Sequence, residues 1–425
     1  MKNMSGPIMT EPLYCALAFN SISFGAHGGS RPCCAVDTYH WSETKNKLPE
    51  YNNELLPWFN NSDLVNLRQD LLDGKWNPIC NLCKIREDAG QASTRQIFNH
   101  TLNEVEERTG RDWHETTAEI DNLDNIFLLD ITVGNKCNSS CLMCNASAST
   151  LWLKEQTDIN GGVPPYKLDS MWFCDEHVPN LVDNLPNLTD IQFVGGEPTI
   201  NDDHVAMLKR LIEQDRAKTT SLGYVTNLTN ISQDLIELWS HFDTKHITIS
   251  VDGVGKVNEY QRYPFTWEKV TQQLENIKNI TSTGKFFVGL SLTVTSMNIL
   301  TLDETIEWWE DQVLSNNSFQ TSLPHIQCVN NPAKFDPVFM PPQMKLECEK
   351  TMQRIEHLCE NRGLGDKYAP AIANIRTNIL QKEVNLDERI YRWEEMKSFV
   401  NSLDKYRKRN VFDYLPHLEK YWDLK

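Results

Sequence analysis

From residue 126 onward, apolar stretches of strand length alternate with amphipathic stretches of helix length. The run at residues 126–133 is rich in β-branched residues and ends at Gly134-Asn135, a pair that breaks strands. Further strands are predicted by the same pattern at residues 191–194, 222–225, 247–249, 286–294 and, more weakly, 324–329. Strands alternating with helices indicate parallel βα units, so the pattern predicts an α/β fold with a partial (β/α)6, TIM-like barrel.

Helical periodicity fills the intervals between these strands and continues to the end of the chain. After the second strand, one helix face is predicted to carry Val205, Leu208, Leu211 and Ile212. After the fifth strand, the face is Leu302, Ile306, Trp309 and Val313. Two C-terminal helices are predicted from the stripes Met344, Met352, Ile355, Leu358 and Ile390, Trp393, Met396, Val400. We therefore expect a barrel over residues 122–330 and a helical extension over residues 331–425.

The first hundred residues have a different pattern. Alternating small and apolar residues from position 12 to 24, followed by a glycine-rich turn, predict a hairpin that brings Cys15 near Cys33. A helix capped by Ser62 is predicted to end at Gly74. Residues 101–125 are polar and acidic, and we expect a connector with helical stretches around Glu104 and Glu119. This organisation predicts a small cysteine-rich module over residues 1–110.

Composition narrows the class of protein. Hydrophobic residues make up 40% of the 425 residues and charged residues 23%, as in ordinary globular proteins. We find no run of eighteen apolar residues and no signal-peptide pattern at the N-terminus, which predicts a cytoplasmic protein without a membrane partner. The net charge of -17 argues against general nucleic-acid binding. The basic run at residues 405–409 is interpreted as a solvated helix face in preference to a binding site.

The main chemical signal is a cysteine triplet directly after the first barrel strand. Cys137, Cys141 and Cys144 have the spacing C-x3-C-x2-C. Structural zinc sites use four protein ligands, so three cysteines match zinc poorly. A 4Fe-4S cluster held by three thiolates keeps one iron open to another ligand. Buried reduced thiols are the alternative, which we disfavour because a chance triplet at this spacing is rare.

This loop resembles the signature of the radical S-adenosylmethionine (SAM) superfamily, although Met143 stands where that family commonly has an aromatic residue. The resemblance implies that SAM chelates the open iron through its amino and carboxylate groups. It also implies that one electron from the cluster cleaves SAM to a 5′-deoxyadenosyl radical, which abstracts hydrogen from a substrate.

Polar residues at the carboxyl ends of the predicted strands extend the resemblance, since ligands bind at that edge of parallel sheets. The sequence Gly195-Gly196-Glu197-Pro198 is similar to the family's G-G-E motif, which holds the SAM amino group. The two glycines would let the backbone approach a ligand, and Glu197 would offer a carboxylate to an ammonium group. The resemblance assigns the SAM ribose to Ser250 of an S-x-D-G segment that includes Asp252, and the SAM carboxylate to Arg262. Thr226 and Asn227 could reach SAM or substrate, although helix capping is the favoured interpretation of Asn227.

A second cysteine set is similar to the auxiliary-cluster modules called twitch and SPASM domains. Its ligands would be Cys15, Cys33, Cys80 and Cys83, with Gly28 completing C-x12-G-x4-C and with Cys34 almost as good a fit as Cys33. The family's tail after the C-x2-C pair is matched by Glu87, Gly90, Ser93 and Arg95. Here the module precedes the barrel, whereas it usually follows. Four thiolates can close a second 4Fe-4S cluster, which is the favoured interpretation. Zinc is the alternative, because four thiolates would also satisfy a zinc site.

The four remaining cysteines, Cys174, Cys328, Cys348 and Cys359, are interpreted as buried thiols, with Cys328 close enough to a strand end to face the active site.

The sequence thus predicts a radical SAM enzyme acting on a small molecule and reduced by a donor such as flavodoxin or ferredoxin. The auxiliary cluster would bind substrate or transfer electrons. The enzymatic alternative is a peptide-modifying maturase. The non-enzymatic alternative is an iron-sulfur or zinc protein that binds a partner without catalysis. No catalytic acid or base is assigned.

Overall fold

The computed structural model describes residues 13–25, 30–36, 54–88, 92–114, 117–165, 178–280, 284–314 and 320–424. The strands are β1 (Ser21–Phe24), β2 (Ser30–Arg31), β3 (Leu128–Thr132), β4 (Asp190–Val194), β5 (Ser221–Thr226), β6 (Thr244–Ser250), β7 (Lys285–Val294), β8 (Gln320–Thr321) and β9 (His325–Cys328). The α-helices are α1 (Ala16–Asn20), α2 (Leu55–Phe59), α3 (Ser62–Leu72), α4 (Asn81–Asp88), α5 (Thr94–Thr109), α6 (Thr150–Ile159), α7 (Val178–Asn184), α8 (Asp203–Glu213), α9 (Gln233–Trp239), α10 (Lys256–Gln261), α11 (Trp267–Ile280), α12 (Leu302–Leu314), α13 (Pro342–Arg362), α14 (Gly365–Ile375), α15 (Leu386–Arg407), α16 (Val411–Tyr414) and α17 (Glu419–Trp422).

The chain forms two compact units. The first unit consists of Met1–Gly134, Asp169–Gly195 and Asp202–Leu222, and the second unit consists of Asn135–Leu168, Gly196–Asn201 and Gly223–Lys425. The predicted domain boundaries near residues 110, 122 and 330 stay a prediction.

In the first unit the strand order is β2-β1-β3-β4. β3 runs parallel to both β1 and β4, and Leu129 of β3 lies opposite Ile22 and Ile191. These side chains and Ile131 and Phe193 are buried, which explains the uninterrupted apolar character of the predicted strands. β1 pairs with β2 in antiparallel fashion.

The N-terminal predictions are only partly right. The expected hairpin exists as β1 and β2, but Ala16–Asn20 forms helix α1, whose five residues are all buried. Helix α3 is capped by Asn61 instead of Ser62, because the Asn61 side chain accepts hydrogen bonds from the Asp63 and Leu64 amides. The helical stretch expected around Glu119 is wrong, since residues 117–127 contain no helix.

In the second unit β6 lies between β5 and β7, and both β8 and β9 run parallel to β7. β6 and β7 are parallel, with Ile249 opposite Leu290. The six predicted barrel strands are thus present as β3, β4, β5, β6, β7 and β9. The α/β fold class with a partial barrel and a helical C-terminal region is confirmed.

Helix faces follow the predicted stripes with small shifts. Leu302, Ile306 and Trp309 of α12 are buried as expected, whereas the Val313 side chain lies outside the described residues. The buried face of α8 is centred on His204, Met207, Leu208 and Leu211, because Val205 and Ile212 are half-buried. Cys348 and Cys359 of α13 are buried, as predicted. Among the described helices, none has the length and apolar content needed to cross a bilayer.

Candidate functional site

The loop at residues 137–144, called the cysteine loop below, is held by hydrogen bonds to neighbouring backbone. The amide of Ser140 donates to the Tyr263 carbonyl at 2.8 Å, and the amide of Leu142 donates to the Gln261 carbonyl at 2.9 Å. The indole Nε1 of Trp152 donates to the Cys141 carbonyl at 2.6 Å. These bonds involve no cysteine side chain, so the loop's shape is set by the protein itself.

Burial disfavours the thiolate form of Cys137 and Cys144, whereas Cys141 has neighbours that stabilise a thiolate. Burial raises the pKa of Cys137 to about 12 and that of Cys144 to about 11. Beside Cys141 Sγ lie the Ser139 hydroxyl, at 3.0 Å, and Nη1 of Arg262, at 3.9 Å. A guanidinium and a hydroxyl next to sulfur stabilise the thiolate form that iron requires.

The spacing of the three sulfurs can be compared with the spacing that a single zinc ion requires. A tetrahedral zinc ion, about 2.3 Å from each thiolate, brings its sulfurs to about 3.8 Å from one another. Among the described residues, the one group of three or more His, Cys, Asp or Glu ligand atoms lying within 4.8 Å of one another is Glu106, Asp112 and His114. The three sulfurs of the cysteine loop therefore do not all lie within 4.8 Å of one another.

Gly196 lies against the start of the cysteine loop. Its φ is +51°, and a Cβ built on it would lie 2.4 Å from the Lys136 carbonyl oxygen. The Glu197 amide donates to that same oxygen at 2.9 Å. In the first unit, a Cβ on Gly195 would lie 2.1 Å from Thr132 Cγ2. The atoms closest to both glycines belong to the chain's own backbone and side chains. That these glycines admit a ligand stays a prediction.

The Glu197 carboxylate is buried and serves as an acceptor for neighbouring residues. Its Oε1 accepts hydrogen bonds from the hydroxyls of Thr226, at 2.6 Å, and Thr199, at 2.7 Å, while Oε2 accepts the Asn227 amide at 2.7 Å. Burial raises the pKa of Glu197, although these hydrogen bonds oppose the rise. Pro198, which is also buried, begins the short 3-10 turn Pro198–Ile200. Glu197 therefore joins its own turn to the end of β5.

Asn227 connects β5 to the cysteine loop. Its Nδ2 donates to Asn138 Oδ1 at 3.0 Å, and its Oδ1 accepts the amide and the hydroxyl of Thr229 at 3.0 and 2.6 Å. Asn138 Nδ2 in turn donates to the Thr229 hydroxyl at 3.1 Å. Ser232 caps the following helix, α9, so the capping interpretation of Asn227 is wrong. The residue instead positions the segment between Cys137 and Cys141.

Asp252 and Arg262 form a buried ion pair beside Cys141. Arg262 Nε lies 2.6 Å from Asp252 Oδ2, and the Thr293 amide donates to Asp252 Oδ1 at 2.8 Å. Burial raises the pKa of Asp252, while the Arg262 charge opposes that rise. Ser250 ends β6 opposite Ser291 of β7. With one nitrogen paired to Asp252 and another near sulfur, Arg262 keeps further N–H donors for a ligand.

In the first unit, the predicted auxiliary cysteines share one cavity. Cys15, Cys33, Cys80 and Cys83 all line it, together with apolar side chains and Arg95. Cys34 is exposed and does not line this cavity. Burial raises the pKa of Cys80 to about 12, and repulsion from the neighbouring thiols of Cys15 and Cys83 contributes to the rise. The structure thus places these four cysteines around one cavity, which Cys34 does not line.

The tail that follows this cysteine pair is tied to the cavity. Arg95 makes a two-bond ion pair with Glu87, at 2.6 and 2.9 Å, and the Ser93 hydroxyl donates to Glu87 at 2.5 Å. Nη1 of Arg95 donates to the Tyr14 carbonyl at 2.7 Å, next to Cys15. The predicted positions Gly28, Gly90 and Cys174 lie outside the described residues.

Sequence reasoning missed several residues that hold the site, namely Asn138, Thr229, Tyr263 and Arg407. Asn138 was detectable, because it lies between two predicted ligands. The other residues are far from the cysteine loop in sequence, and only the fold brings them to it. Cys328, at the end of β9, is half-buried, and burial raises its pKa to about 12.

Comparison with known proteins agrees with this geometry. Residues 131–311 match the model of the Radical SAM superfamily. A Methanocaldococcus jannaschii protein described as uncharacterized protein MJ0907 is 25% identical over 192 residues, which are 44% of this chain and 59% of that protein. The chain therefore spans less than two thirds of that relative.

Two solved structures are also similar. Native anSMEcpe with bound AdoMet gives a TM-score of 0.39 at 16% identity, over 56% of this chain and 62% of that one. Streptococcus suis SuiB bound to precursor peptide SuiA gives a TM-score of 0.33 at 11% identity, over 84% of this chain and 69% of that one. Both TM-scores are too low to bear on this chain's ligands. The family match is the informative one: residues 131–311, which are less than half of the chain, match the Radical SAM superfamily model and contain the cysteine loop, Glu197 and the Asp252–Arg262 pair.

Proposed function

We propose that the chain is a radical SAM enzyme that removes a hydrogen atom from a small-molecule or peptide substrate. The observation that carries the proposal is the convergence of the expected SAM-binding residues on the cysteine loop. Asn227 is bonded to Asn138 within the loop, Glu197 to Lys136 at its start, and Arg262 reaches the Cys141 sulfur. A protein that used the three thiols only for structure would not require this second set of residues.

In this proposal Cys137, Cys141 and Cys144 hold a 4Fe-4S cluster with one iron left open. The radical SAM family implies this cluster together with SAM, and the pair, once reduced, supplies the 5′-deoxyadenosyl radical. Each bound cysteine gives up its proton, while Arg262 and the Ser139 hydroxyl stabilise charge on the Cys141 sulfur. A protein such as flavodoxin or ferredoxin is the proposed electron donor.

The SAM contacts are proposed from the same residues. Arg262 has donors left for the SAM carboxylate. Among the described residues, Glu197 Oε2 accepts a hydrogen bond from the Asn227 amide alone and so has room for an ammonium donor. Gly195, Gly196 and Pro198 shape the turn that carries Glu197. Thr226 and Asp252 orient Glu197 and Arg262 respectively, and Ser250 is the proposed ribose contact.

We further propose that Cys15, Cys33, Cys80 and Cys83 hold an auxiliary 4Fe-4S cluster that binds substrate or transfers electrons. Support comes from the shared cavity and from the ion pair that ties Arg95 to Glu87 beside it. Zinc bound to the same four thiolates is the competing assignment.

The proposal is tested by the formation of 5′-deoxyadenosine. The full chain is reconstituted anaerobically with iron and sulfide, reduced and mixed with SAM. We expect product from the wild type and from Cys348→Ala, which removes a buried thiol of α13, and none from Cys137→Ala. If the wild type holds its iron but forms no 5′-deoxyadenosine, the non-catalytic iron-sulfur protein is the better assignment.

A further inference from the structure

We propose that Arg407, the last residue of helix α15, is a positioning residue that holds the cysteine loop in the shape that receives iron. The run that contains Arg407 was interpreted from sequence as a solvated helix face. That interpretation is wrong for Arg407, whose side chain is only 3% exposed.

The contacts of Arg407 converge on the middle of the cysteine loop. Its Nη2 donates to the Ser140 carbonyl at 2.9 Å and to the Ser140 hydroxyl at 2.8 Å. The same nitrogen lies 2.6 Å from Glu155 Oε2, and the Glu155 side chain is also 3% exposed. Glu155 belongs to α6, the first helix after the cysteine loop. The buried charge of Arg407 therefore connects helix α15 to both the cysteine loop and α6.

Two aromatic rings complete the pocket around the guanidinium, and both residues also bind the loop. The guanidinium carbon lies 4.2 Å from the centre of the Tyr263 ring and 5.1 Å from that of Trp152. Tyr263 accepts the Ser140 amide through its carbonyl, and Trp152 donates to the Cys141 carbonyl. A guanidinium can hold a carboxylate, a carbonyl and aromatic faces together because it is planar and carries five donors.

The position of Arg407 is itself fixed by the chain around it. Lys408 has a φ of +53° and ends the helix, and the Arg409 amide donates to the Asp404 carbonyl at 3.0 Å. Asp404 accepts the Tyr260 hydroxyl at 2.9 Å, and Arg409 donates to the Glu259 carbonyl at 3.0 Å. The end of α15 is thus bound to α10, the helix that leads into the Tyr263 contact.

The inference has two levels. That Arg407 orders the cysteine loop depends only on contacts within the protein. That this order serves cluster binding rests on the proposed function.

Amide hydrogen exchange of the full chain tests the first level. Removing Arg407 alone would leave the Glu155 carboxylate buried and unpaired, so the test variant is Arg407→Met combined with Glu155→Gln, which keeps the pocket neutral. The matched control is Arg376→Met, which breaks ion pairs with Glu349 and Glu356 among the C-terminal helices. We expect exchange at Ser140 and Leu142 to become at least tenfold faster in the double variant and to stay unchanged in the control.

Arg407→Lys serves as the conservative variant, and it replaces the double variant if that protein fails to fold. A lysine keeps the charge beside Glu155 but lacks the planar fork, so we expect intermediate exchange at Ser140. Wild-type exchange at Ser140 in every folded Arg407 variant would overturn the inference.

The second level, the effect of Arg407 on cluster binding, is measured on the protein reconstituted with iron and sulfide. We expect the Arg407 variants to retain less iron and to give a broadened electron paramagnetic resonance spectrum, while Arg376→Met matches the wild type. An unaltered spectrum and iron content in the Arg407 variants would overturn this level. If the wild type binds no cluster, the proposed function fails, yet the exchange experiment still decides the role of Arg407.

Discussion

A methyl group on Gly196 should displace the start of the cysteine loop. Gly196 has a φ of +51°, and its added Cβ would lie 2.4 Å from the Lys136 carbonyl oxygen and 3.0 Å from the Asn135 carbonyl carbon. The left-handed backbone costs alanine about 1–2 kcal/mol. Forced backbone movement in a packed site adds about 1–3 kcal/mol. We therefore expect Gly196→Ala to lower the free energy of unfolding by about 2–5 kcal/mol.

Gly363→Ala is the matched control in the same unit. Gly363 has a φ of +68°, and a Cβ there would meet nothing within 4 Å. Its substitution should cost only the backbone term of about 1–2 kcal/mol. Urea unfolding followed by tryptophan fluorescence compares the two variants, and iron per chain is counted after reconstitution. Gly196→Ala should also bind less iron, because the displaced carbonyl adjoins Cys137. Equal losses of stability in the two variants, with equal iron, would refute the reasoning.

Three further predictions concern ligands, the loop and pH. Cys33→Ala should lower the iron content from about eight to about four atoms per chain, and Cys34→Ala should leave it unchanged. A wild type with about four iron atoms and one zinc ion per chain would contradict the auxiliary cluster. A double-mutant cycle of Asn227→Ala and Asn138→Ala should show a coupling of about 0.5–1.5 kcal/mol in urea unfolding, and strict additivity would count against their hydrogen bond. Burial lowers the pKa of His417 below 6.5, so the unfolded chain takes up that proton first and stability falls as pH drops below about 6.5. Between pH 7 and pH 5, the melting temperature should fall less in His417→Gln than in the wild type. An equal fall in both proteins would contradict this prediction.

The barrel strands and the cysteine loop were predictable because their signals are local. A buried β-branched run ends at a Gly-Asn break before Cys137, and the same pattern of run and break recurs at Gly195 and at Asn227. The contacts of individual side chains were harder to predict from the sequence. The hydrogen bonds of the Glu197 carboxylate to Thr226 and Asn227 could not be predicted, because those residues lie 29 and 30 positions further along the chain.

What the sequence could not supply are pairings made by the fold. Helix α1 was missed because all of its residues are buried, which removes the polar face that marks a helix. Arg407 was assigned to solvent because its partner Glu155 lies 252 residues away in the chain. A basic run near a helix end has no local feature that announces a distant buried carboxylate.

The central claim is that the cysteine loop leaves one iron free for SAM. The most direct measurement is the electron paramagnetic resonance spectrum of the reduced Cys80→Ala/Cys83→Ala variant, which lacks two of the first unit's proposed ligands, recorded with and without SAM. We predict a clear change of the spectrum when SAM is added. An intact reduced cluster whose spectrum is the same with and without SAM would contradict the account.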